Sequence, residues 1–533
     1  MTWSDGYFTD IDYTYGYYRE LNPAVLRLAC IAANVRPPDI EECTYLELGF
    51  GQGVSINLHA AAAPGNYWGI DFNPAQTLHA QTLAKESGAP VSLHDQSFAE
   101  FAARDDLPMF DVIVLHGVWS WISADNRRSI IDIIRRRLRV GGIVYLSYNC
   151  LPGWAAQVPL RHLMARHIEM AAPRSADTAA KIDNALAFAR EIAAGGARYF
   201  TENPALDPFM KNIGTSNRHY LAHEYFNADW EIGYFADVAA ELEAAKLTYA
   251  APARLLDHLP EYSMRAQDAK LLAGIRHPLM RETVRDYLVN QKFRTDIFVK
   301  GARPLNGVDA RGLWMDTSFT LTVPMSAMSF KHATPMGELS LDESIYRPLV
   351  TMLADDGYRA KSVVEIAERL GAFDIRELLS GLMMLSGLGV AQPARKAGEA
   401  ERRQCDALNL YLCHQALSSA DIQVLASPVL GGGKAMPQEH QLVVMAILAG
   451  MQTPQEQALY LDSVFQAHNL KLRRDGIAAG SGQDAIHEFE GIATRFHADG
   501  HAALLRALCI LPAEGDVARQ PALTALHPSI TAA

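Results

Sequence analysis

A glycine-rich turn between two short apolar runs constrains the fold of this chain more than any other part of its sequence. The first run, Thr44 to Leu48, leads into the turn Gly49 to Gly53, which reads G-F-G-Q-G. A helix-like stretch follows over residues 54–63, and a second apolar run, Tyr67 to Asp71, ends on an acid. Strand, glycine turn, helix and strand in this order are typical of a pocket for a nucleotide-like ligand.

The alternation of strand and helix patterns continues to residue 147. Further strands are predicted at Val91–His94, Phe110–His116 and Ile143–Ser147, and helices at 74–87 and 126–138. The fourth strand is apolar throughout its middle, as expected for a parallel strand that is buried on both faces. The pattern therefore predicts an α/β fold built on a doubly wound parallel sheet.

In such a sheet, ligands bind beyond the carboxyl ends of the strands. Glycine lets the backbone approach a ligand closely and adopt a positive φ. Asp71 can accept hydrogen bonds from two ribose hydroxyls, and Asp95 can accept one from an exocyclic adenine amine. The residues expected to bind a cofactor lie near these strand ends, with one tyrosine added from the N-terminal segment: Tyr15, Glu47, Gly49, Phe50, Gly51, Gly53, Asp71, Phe72, Asp95, Gln96, His116 and Gly117.

The spacing of the glycines separates two classes of ligand. A dinucleotide site requires G-x-G-x-x-G, but the sixth position counted from Gly49 is Val54. The chain instead has E-x-G-x-G-x-G from Glu47 to Gly53, and a carboxylate at its start suits a ligand with an ammonium group and no phosphate. This motif and "LRVGG" at 138–142 resemble class I S-adenosylmethionine-dependent methyltransferases. The resemblance implies a Rossmann-like seven-stranded sheet and S-adenosylmethionine as the cofactor.

Three further stretches narrow the resemblance. "HGVWSWI" (116–122), "SYNCLPGW" (147–154) and "RHYLAHEYFNADW" (218–230) are similar to bacterial methyltransferases that carry a methyltransferase regulatory domain. Lysine methyltransferases of bacterial outer-membrane proteins belong to that wider family. The chain departs from it at Trp119, where tyrosine is common, and in its glycine loop, where the family often has Cys-Gly-Asp-Gly.

The resemblance favours a protein lysine side chain as the methyl acceptor. The alternatives are a small-molecule O- or N-methyltransferase and a non-catalytic, cofactor-binding regulatory protein. Aromatic faces attract an ammonium group by cation–π interaction, and alignment of the reactants is the main catalytic task. The residues expected at the acceptor site follow strands four and five or come from the family motif: Trp119, Tyr148, Asn149, Trp154, His223 and Glu224.

Some of these residues have other interpretations, as part of the hydrophobic core or as metal ligands. Aromatic side chains near a sheet edge often belong to the core. His219 and His223 lie four residues apart, but the sequence shows no third ligand beside them, so a metal is not expected.

The rest of the chain is expected to complete the sheet and to add accessory units. A late helix at 234–246 precedes strands at Leu247–Ala250 and Phe293–Val299. Because every element of the glycine loop precedes residue 150, residues 400–533 are expected to be dispensable for cofactor binding. The predicted domains are an aromatic lid segment (1–25), the cofactor-binding core (26–150), a helical insertion (151–230), the completion of the sheet with a second helical insertion (231–310), a winged-helix-like unit (311–400) and a mainly helical C-terminal domain (401–533).

Composition limits the partners and the compartment. The net charge of -12 argues against nucleic acid, whose phosphates require a basic face. The N-terminus lacks the features of a signal peptide and no apolar stretch is long enough to span a bilayer, so the cytoplasm is expected. The six cysteines form no CxxC pair, which disfavours disulfides and a zinc site. Apolar helical faces in the insertion and the C-terminal region would suit a homodimer.

Overall fold

A computed structural model of the chain describes residues 14–171, 177–215, 221, 227, 229–371, 374–468, 470, 473–474, 477–478 and 483–513. Its central element is a seven-stranded sheet in the order β3-β2-β1-β4-β5-β7-β6. The strands are β1 (Cys43–Leu48), β2 (Gly65–Asp71), β3 (Val91–Asp95), β4 (Phe110–Leu115), β5 (Leu138–Asn149), β6 (Leu247–Pro252) and β7 (Phe293–Lys300). All neighbours pair in parallel except β7, which runs antiparallel to both β5 and β6.

Five helices accompany the first five strands, and local signals fix where they begin. Asn73 and Ser123 cap their helices by accepting hydrogen bonds from the backbone amides of Ala75 and Asn126. Gly53 precedes the first residue of the helix that follows the glycine loop. The helices are α1 (Pro23–Ala32), α2 (Val54–Ala62), α3 (Pro74–Ser87), α4 (Phe98–Ala102) and α5 (Ala124–Arg137).

The predicted strands and helices of this core are present, with one clear difference in bounds. The fifth strand begins at Leu138 rather than at Ile143, because "LRVGG" is itself extended. The register between β4 and β5 shifts in this stretch, between Phe110 and Val112, and Gly141 has a φ of 86°. Gly141 and Gly142 therefore lie within the irregular first part of β5 rather than before the strand.

The described residues of both insertions are mainly helical, as predicted. The first packs its helices around a small core of its own, which includes Leu160, Ile182 and Leu206. The helices of the first insertion are Val158–Ala171, Thr178–Ala194, Arg198–Thr201 and Leu206–Thr215, and those between β6 and β7 are Pro260–Ser263, Ala266–Ala273 and Pro278–Val289.

The next unit has the winged-helix-like arrangement that the sequence predicts. Three short antiparallel strands, Ser318–Leu321, Lys361–Ser362 and Ala391–Ala394, form a sheet with the first strand in the middle. Its helices are Glu343–Ala354, Val363–Leu370 and Ile375–Gly387, preceded by the helix Gly307–Asp316 and the hairpin Lys331–Thr334 with Gly337–Ser340.

The described C-terminal region is mainly helical, as expected, and carries one well-formed hairpin. The hairpin pairs Val424–Ser427 with Gly432–Ala435. The helices are Glu399–Gln415, Gln438–Leu448, Pro454–Ala467, Gln483–Ala498 and His501–Ala507, and a two-residue pair joins Arg473–Arg474 to Ile477–Ala478.

This C-terminal region covers α2, the helix that follows the glycine loop. All nine residues of α2 are buried, although a helix on an open sheet normally exposes its outer face. The helix Glu399–Gln415 and the hairpin pack against α2. Cys405 Sγ donates to the carbonyl of Ala61 at 3.4 Å, and Arg395 Nη1 donates to that of Ala62 at 3.4 Å. One continuous apolar core therefore joins the sheet to the C-terminal region.

In the described ranges, no helix combines the length and the apolar character needed to cross a membrane.

We expect a chain shortened to residues 1–310 not to fold cooperatively, contrary to the expectation from motif positions alone. Removing the cover exposes the outer face of α2 and its neighbours, at about 1.5–3 kcal/mol for each large apolar side chain. Several such losses exceed a typical domain stability of about 5–15 kcal/mol. Thermal melts by circular dichroism, with the full chain as reference, test this. A sharp melt of the shortened chain would show that the core is independent.

Candidate functional site

The glycine loop between β1 and α2 has a backbone that only glycine accommodates. Gly49, Gly51 and Gly53 have φ angles of 75°, 58° and 71°. A Cβ on Gly53 would lie 2.3 Å from the Cβ of Ala80, and one on Gly49 would lie 2.7 Å from a methyl of Val118. The loop is therefore pressed between α3 and the segment after β4, and it presents backbone rather than side chains at the sheet edge.

Asp71, at the end of β2, holds this loop in place. Its Oδ2 accepts from the Gly51 amide at 2.9 Å, and its Oδ1 accepts from the Asn73 amide at 2.9 Å. The Gly49 amide donates to the Ile70 carbonyl at 2.8 Å, which ties the same loop to β2 a second time. A carboxylate has about four acceptor sites, so Asp71 can still accept from a further donor.

Two buried carboxylates lie at this edge without a cation. Burial, helped by the charge of Asp71, raises the pKa of Glu47 to about 8, while the Tyr45 hydroxyl, which donates to Glu47 at 3.1 Å, opposes the shift. Burial also raises the pKa of Asp71 to about 7, against its backbone hydrogen bonds. Among the described residues, neither carboxylate forms an ion pair. Unpaired carboxylates beside backbone amides suit a ligand with hydroxyls and a positive charge, and S-adenosylmethionine carries both.

The end of β3 completes the acidic edge. Asp95 is exposed and lies directly opposite Asp71 in the strand register. The Gln96 amide donates to the Asp71 carbonyl at 3.0 Å, and Arg104 donates to the Gln96 side chain at 3.2 Å. Phe50 is buried and Phe72 half-buried at the same edge. The structure thus brings together the predicted residues of the first three strands.

After β4, a chain of hydrogen bonds fixes the predicted pair His116 and Gly117. The Gly117 amide donates to Ser147 Oγ at 2.7 Å. His116 Nδ1 lies 2.8 Å from the Tyr145 hydroxyl. Burial raises the pKa of Tyr145 far above its usual value and lowers that of His116 to about 4, so both groups are neutral. A hydrogen bond between two neutral groups therefore holds the His116 ring against β5.

The N-terminal segment lies against both parts of this site. The ring of Tyr18 stacks on that of His116, with centroids 3.7 Å apart. The ring of Tyr15 meets His79 edge-on at 5.1 Å, and His79 Nδ1 lies 2.7 Å from the carbonyl of Gln52 in the glycine loop. Tyr13 lies outside the described residues.

The residues predicted for the acceptor site are less exposed than their positions suggest. Trp119 is 3% exposed and packs in the core on the α5 side of the sheet. The Tyr148 hydroxyl donates to Asp296 at 2.7 Å, within a buried cluster of charges. The backbone amide of Asn149 donates to Ser120 Oγ at 2.9 Å.

The other predicted acceptor residues belong to the first insertion. Trp154 is 9% exposed and meets Trp230 edge-on at 5.4 Å in the core of that insertion. His219, His223 and Glu224 lie outside the described residues. Within the part of the chain that the structure describes, no group of three or more His, Cys, Asp or Glu side chains is placed to hold a metal ion.

Sequence reasoning did not find Tyr145, Ser147 or Phe293. Tyr145 and Ser147 lie inside β5, and nothing in the sequence distinguishes them from ordinary strand residues. Their role follows from pairing, because Val114 of β4 lies opposite Tyr145 and this register places the phenol beside His116. Phe293, the first residue of β7, lies opposite Asn149 and its ring is 6.0 Å from that of His116. No local pattern carries this information.

Comparisons with known proteins agree with this geometry. The methyltransferase domain family matches residues 46–142, and the family described as predicted methyltransferase regulatory domain matches residues 217–300. Protein sll1526 of Synechocystis is 35% identical over 504 residues, which are 94% of this chain and 98% of that protein. Protein RP789 of Rickettsia prowazekii is 24% identical over 333 residues, 61% of this chain and 59% of that one.

A solved structure has the same fold over almost the whole chain. The structure of PKMT2 from Rickettsia typhi in complex with AdoHcy matches with a TM-score of 0.68 and 19% identity, covering 94% of this chain and 100% of that one. With the glycine loop, the acidic edge and the sheet order, these likenesses lead to one conclusion. The chain belongs to the family of sll1526, and it is a class I S-adenosylmethionine-dependent methyltransferase with a methyltransferase regulatory domain.

Proposed function

We propose that this enzyme methylates the side-chain amine of a lysine in a protein. The observation that carries the proposal is an aromatic rim, formed by Tyr18, His116 and Phe293, at the carboxyl end of β4 and β5. Phe293 is 36% exposed, so the rim is open to solvent at one side. An open aromatic rim suits an amine presented on a protein surface. The fold shared with PKMT2, a protein lysine methyltransferase of Rickettsia typhi, supports the same substrate class.

The cofactor residues have distinct proposed roles. Asp71 accepts from the ribose hydroxyls, Glu47 serves the ammonium end and Asp95 the adenine amine. Bound S-adenosylmethionine supplies an electrophilic methyl group, so the protein need form no covalent bond with either reactant. The remaining proposed contacts line the loop and the neighbouring strand ends: Tyr15, Gly49, Phe50, Gly51, Gly53, Phe72, Gln96, His116 and Gly117.

The rim favours an amine over a hydroxyl acceptor. A lysine amine reacts once it is neutral, and partial desolvation among aromatic rings lowers the pKa of its ammonium form. A hydroxyl acceptor would need a general base. His116 is poorly suited to this role, because burial lowers its pKa to about 4 and its Nδ1 is already hydrogen-bonded to the Tyr145 hydroxyl. This argues against the small-molecule O-methyltransferase.

The acceptor roles of Trp119, Tyr148, Asn149, Trp154, His223 and Glu224 stay predictions. For the first four, the packing favours the alternative in which they support the site from the core. The cytoplasm as compartment, a homodimer and the absence of a nucleic-acid partner also stay predictions.

Transfer of tritium from labelled S-adenosylmethionine should test the acceptor. Incubation with a lysate of the source bacterium should label protein, and acid hydrolysis should release methylated lysine. Asp71→Ala enzyme is the matched control, because at limiting cofactor its weaker binding should reduce the transfer of label. Label confined to the small-molecule fraction, or to amino acids other than lysine, would contradict the proposal.

Asp71→Ala should weaken binding of S-adenosylhomocysteine by roughly 1.5–3 kcal/mol, the value of hydrogen bonds to a charged group. The change removes the acceptor of the ribose hydroxyls and the tie to Gly51. Titration calorimetry measures it, with Asp105→Ala, whose side chain is 96% exposed, as control. An unchanged affinity in a folded Asp71→Ala protein would remove Asp71 from the site.

Cofactor affinity should rise with pH between about pH 6 and pH 8.5. The pKa of Glu47 is raised to about 8 and that of Asp71 to about 7, so both carboxyls hold protons at pH 6 in the free protein. A ligand with an ammonium group and hydroxyl donors favours the ionised forms, so binding releases protons and gains strength as pH rises. Calorimetry in buffers of different ionisation enthalpy measures the release. Glu47→Gln should flatten the profile, and a flat wild-type profile would refute this assignment.

A further inference from the structure

A glycine turn in the C-terminal hairpin touches the N-terminal segment more than 400 residues away in sequence. We call Gly431, Gly432 and Gly433 the anchor turn. A Cβ on Gly432 would lie 2.7 Å from the Tyr17 hydroxyl and 2.8 Å from Asn22 Nδ2. A Cβ on Gly433 would lie 3.0 Å from Cζ of the Tyr17 ring. The absence of side chains therefore lets the anchor turn reach the segment.

Hydrogen bonds complete this contact on both sides. The Gly433 amide donates to the Tyr17 hydroxyl at 2.8 Å. Asn22 Nδ2 donates to the carbonyls of Leu430 at 2.9 Å and Gly431 at 3.3 Å. Asn22 is 2% exposed, and burial raises the pKa of Tyr17 to about 12, so the phenol stays neutral. Buried polar groups bonded in this way fix their partners in one position.

The anchored residues border those that face the proposed cofactor site. Next to Tyr17, the Tyr18 amide donates to Ser55 Oγ in the first turn of α2 at 3.1 Å, and the Tyr18 ring stacks on His116. Asn22 also caps α1, because its Oδ1 accepts from the Ala24 amide at 2.8 Å. Between the two anchors, the segment has little freedom to move away from the glycine loop.

We infer that the anchor turn is a positioning element of the cofactor site, which acts through Tyr17 and Asn22 on the rings of Tyr15 and Tyr18. This assigns a role in cofactor binding to the C-terminal region. The inference rests on the proposed cofactor residues and not on the identity of the acceptor. Failure of the lysine proposal would therefore leave it intact, and the Asp71→Ala titration tests its premise separately.

Two variants test the inference, with S-adenosylhomocysteine as the probe. Gly432 has no positive φ, so Gly432→Ala adds only a methyl group, which crowds Tyr17 and Asn22 most and His59 Cδ2, at 3.1 Å, less. Tyr17→Phe keeps the ring and removes the acceptor of the Gly433 amide. Gly312→Ala is the matched control, because its added Cβ meets nothing within 4 Å. Each test variant should raise the calorimetric Kd roughly three- to tenfold, and the control should not.

A purely structural role gives a different result. It would lower the Tm of Tyr17→Phe and speed amide exchange throughout the ligand-free protein, without changing Kd in the folded fraction. The positioning role should speed exchange mainly in residues 14–22. A double-mutant cycle adds a second criterion, because Tyr17→Phe should cost little further affinity once Tyr18 is alanine. Unchanged Kd in folded Tyr17→Phe protein, or additive losses in the cycle, would overturn the inference.

Discussion

The carboxylate of Asp71 fixes the glycine loop at the carboxyl edge of the sheet. It joins the end of β2 to the glycine loop through the Gly51 amide, and it does so while 6% exposed and without a cation among the described residues. A buried carboxylate of this kind is costly when ionised, and its pKa is raised accordingly. The site therefore favours a ligand that brings donors and positive charge, and such a ligand stabilises the form of the loop that binds it.

The second constraint is the burial of α2 on every side. Its sequence, VSINLHAAA, has no charged face, and a helix that is apolar all round requires cover. Two polar side chains show how complete the cover is. Asn57 Nδ2 donates to the Gly53 and Ala80 carbonyls, at 2.8 and 3.0 Å, while its buried Oδ1 has no hydrogen-bond partner in the described residues. Neither ring nitrogen of His59 has a hydrogen-bond partner in the described residues, and burial lowers its pKa to about 3. The C-terminal region thus shares one hydrophobic core with α2 and the sheet.

Features that depend on neighbouring residues can be predicted from the sequence, whereas features that depend on contacts between distant parts of the chain cannot. Strand bounds, helix bounds and the glycine loop follow from local patterns, and the structure confirms them within a few residues, except at the start of β5. The directions of side chains such as Tyr148 and Trp119 do not follow, because residues far along the chain decide them. No local sequence pattern predicts the hydrogen bond between Gly433 and Tyr17. The family resemblance supplied the cofactor, whereas the partner of His116 required the register of β4 and β5.

The aromatic rim itself depends on a buried charge next to it. Arg294 is 2% exposed and bonds to the carboxylates of Glu282, Asp286 and Asp296, with its guanidinium 4.2 Å from the ring of Phe235.

Successive residues of a strand point to opposite faces, so Arg294 on the side of Phe235 places Phe293 on the side of His116. The same cluster draws the Tyr148 hydroxyl to Asp296, which turns that ring away from the rim. A buried guanidinium is very costly without its partners. Rotation of β7 about its axis would separate Arg294 from the carboxylates of Glu282 and Asp286 and leave these charges buried and unpaired. The ion pairs therefore decide which aromatic side chain β7 contributes to the proposed rim.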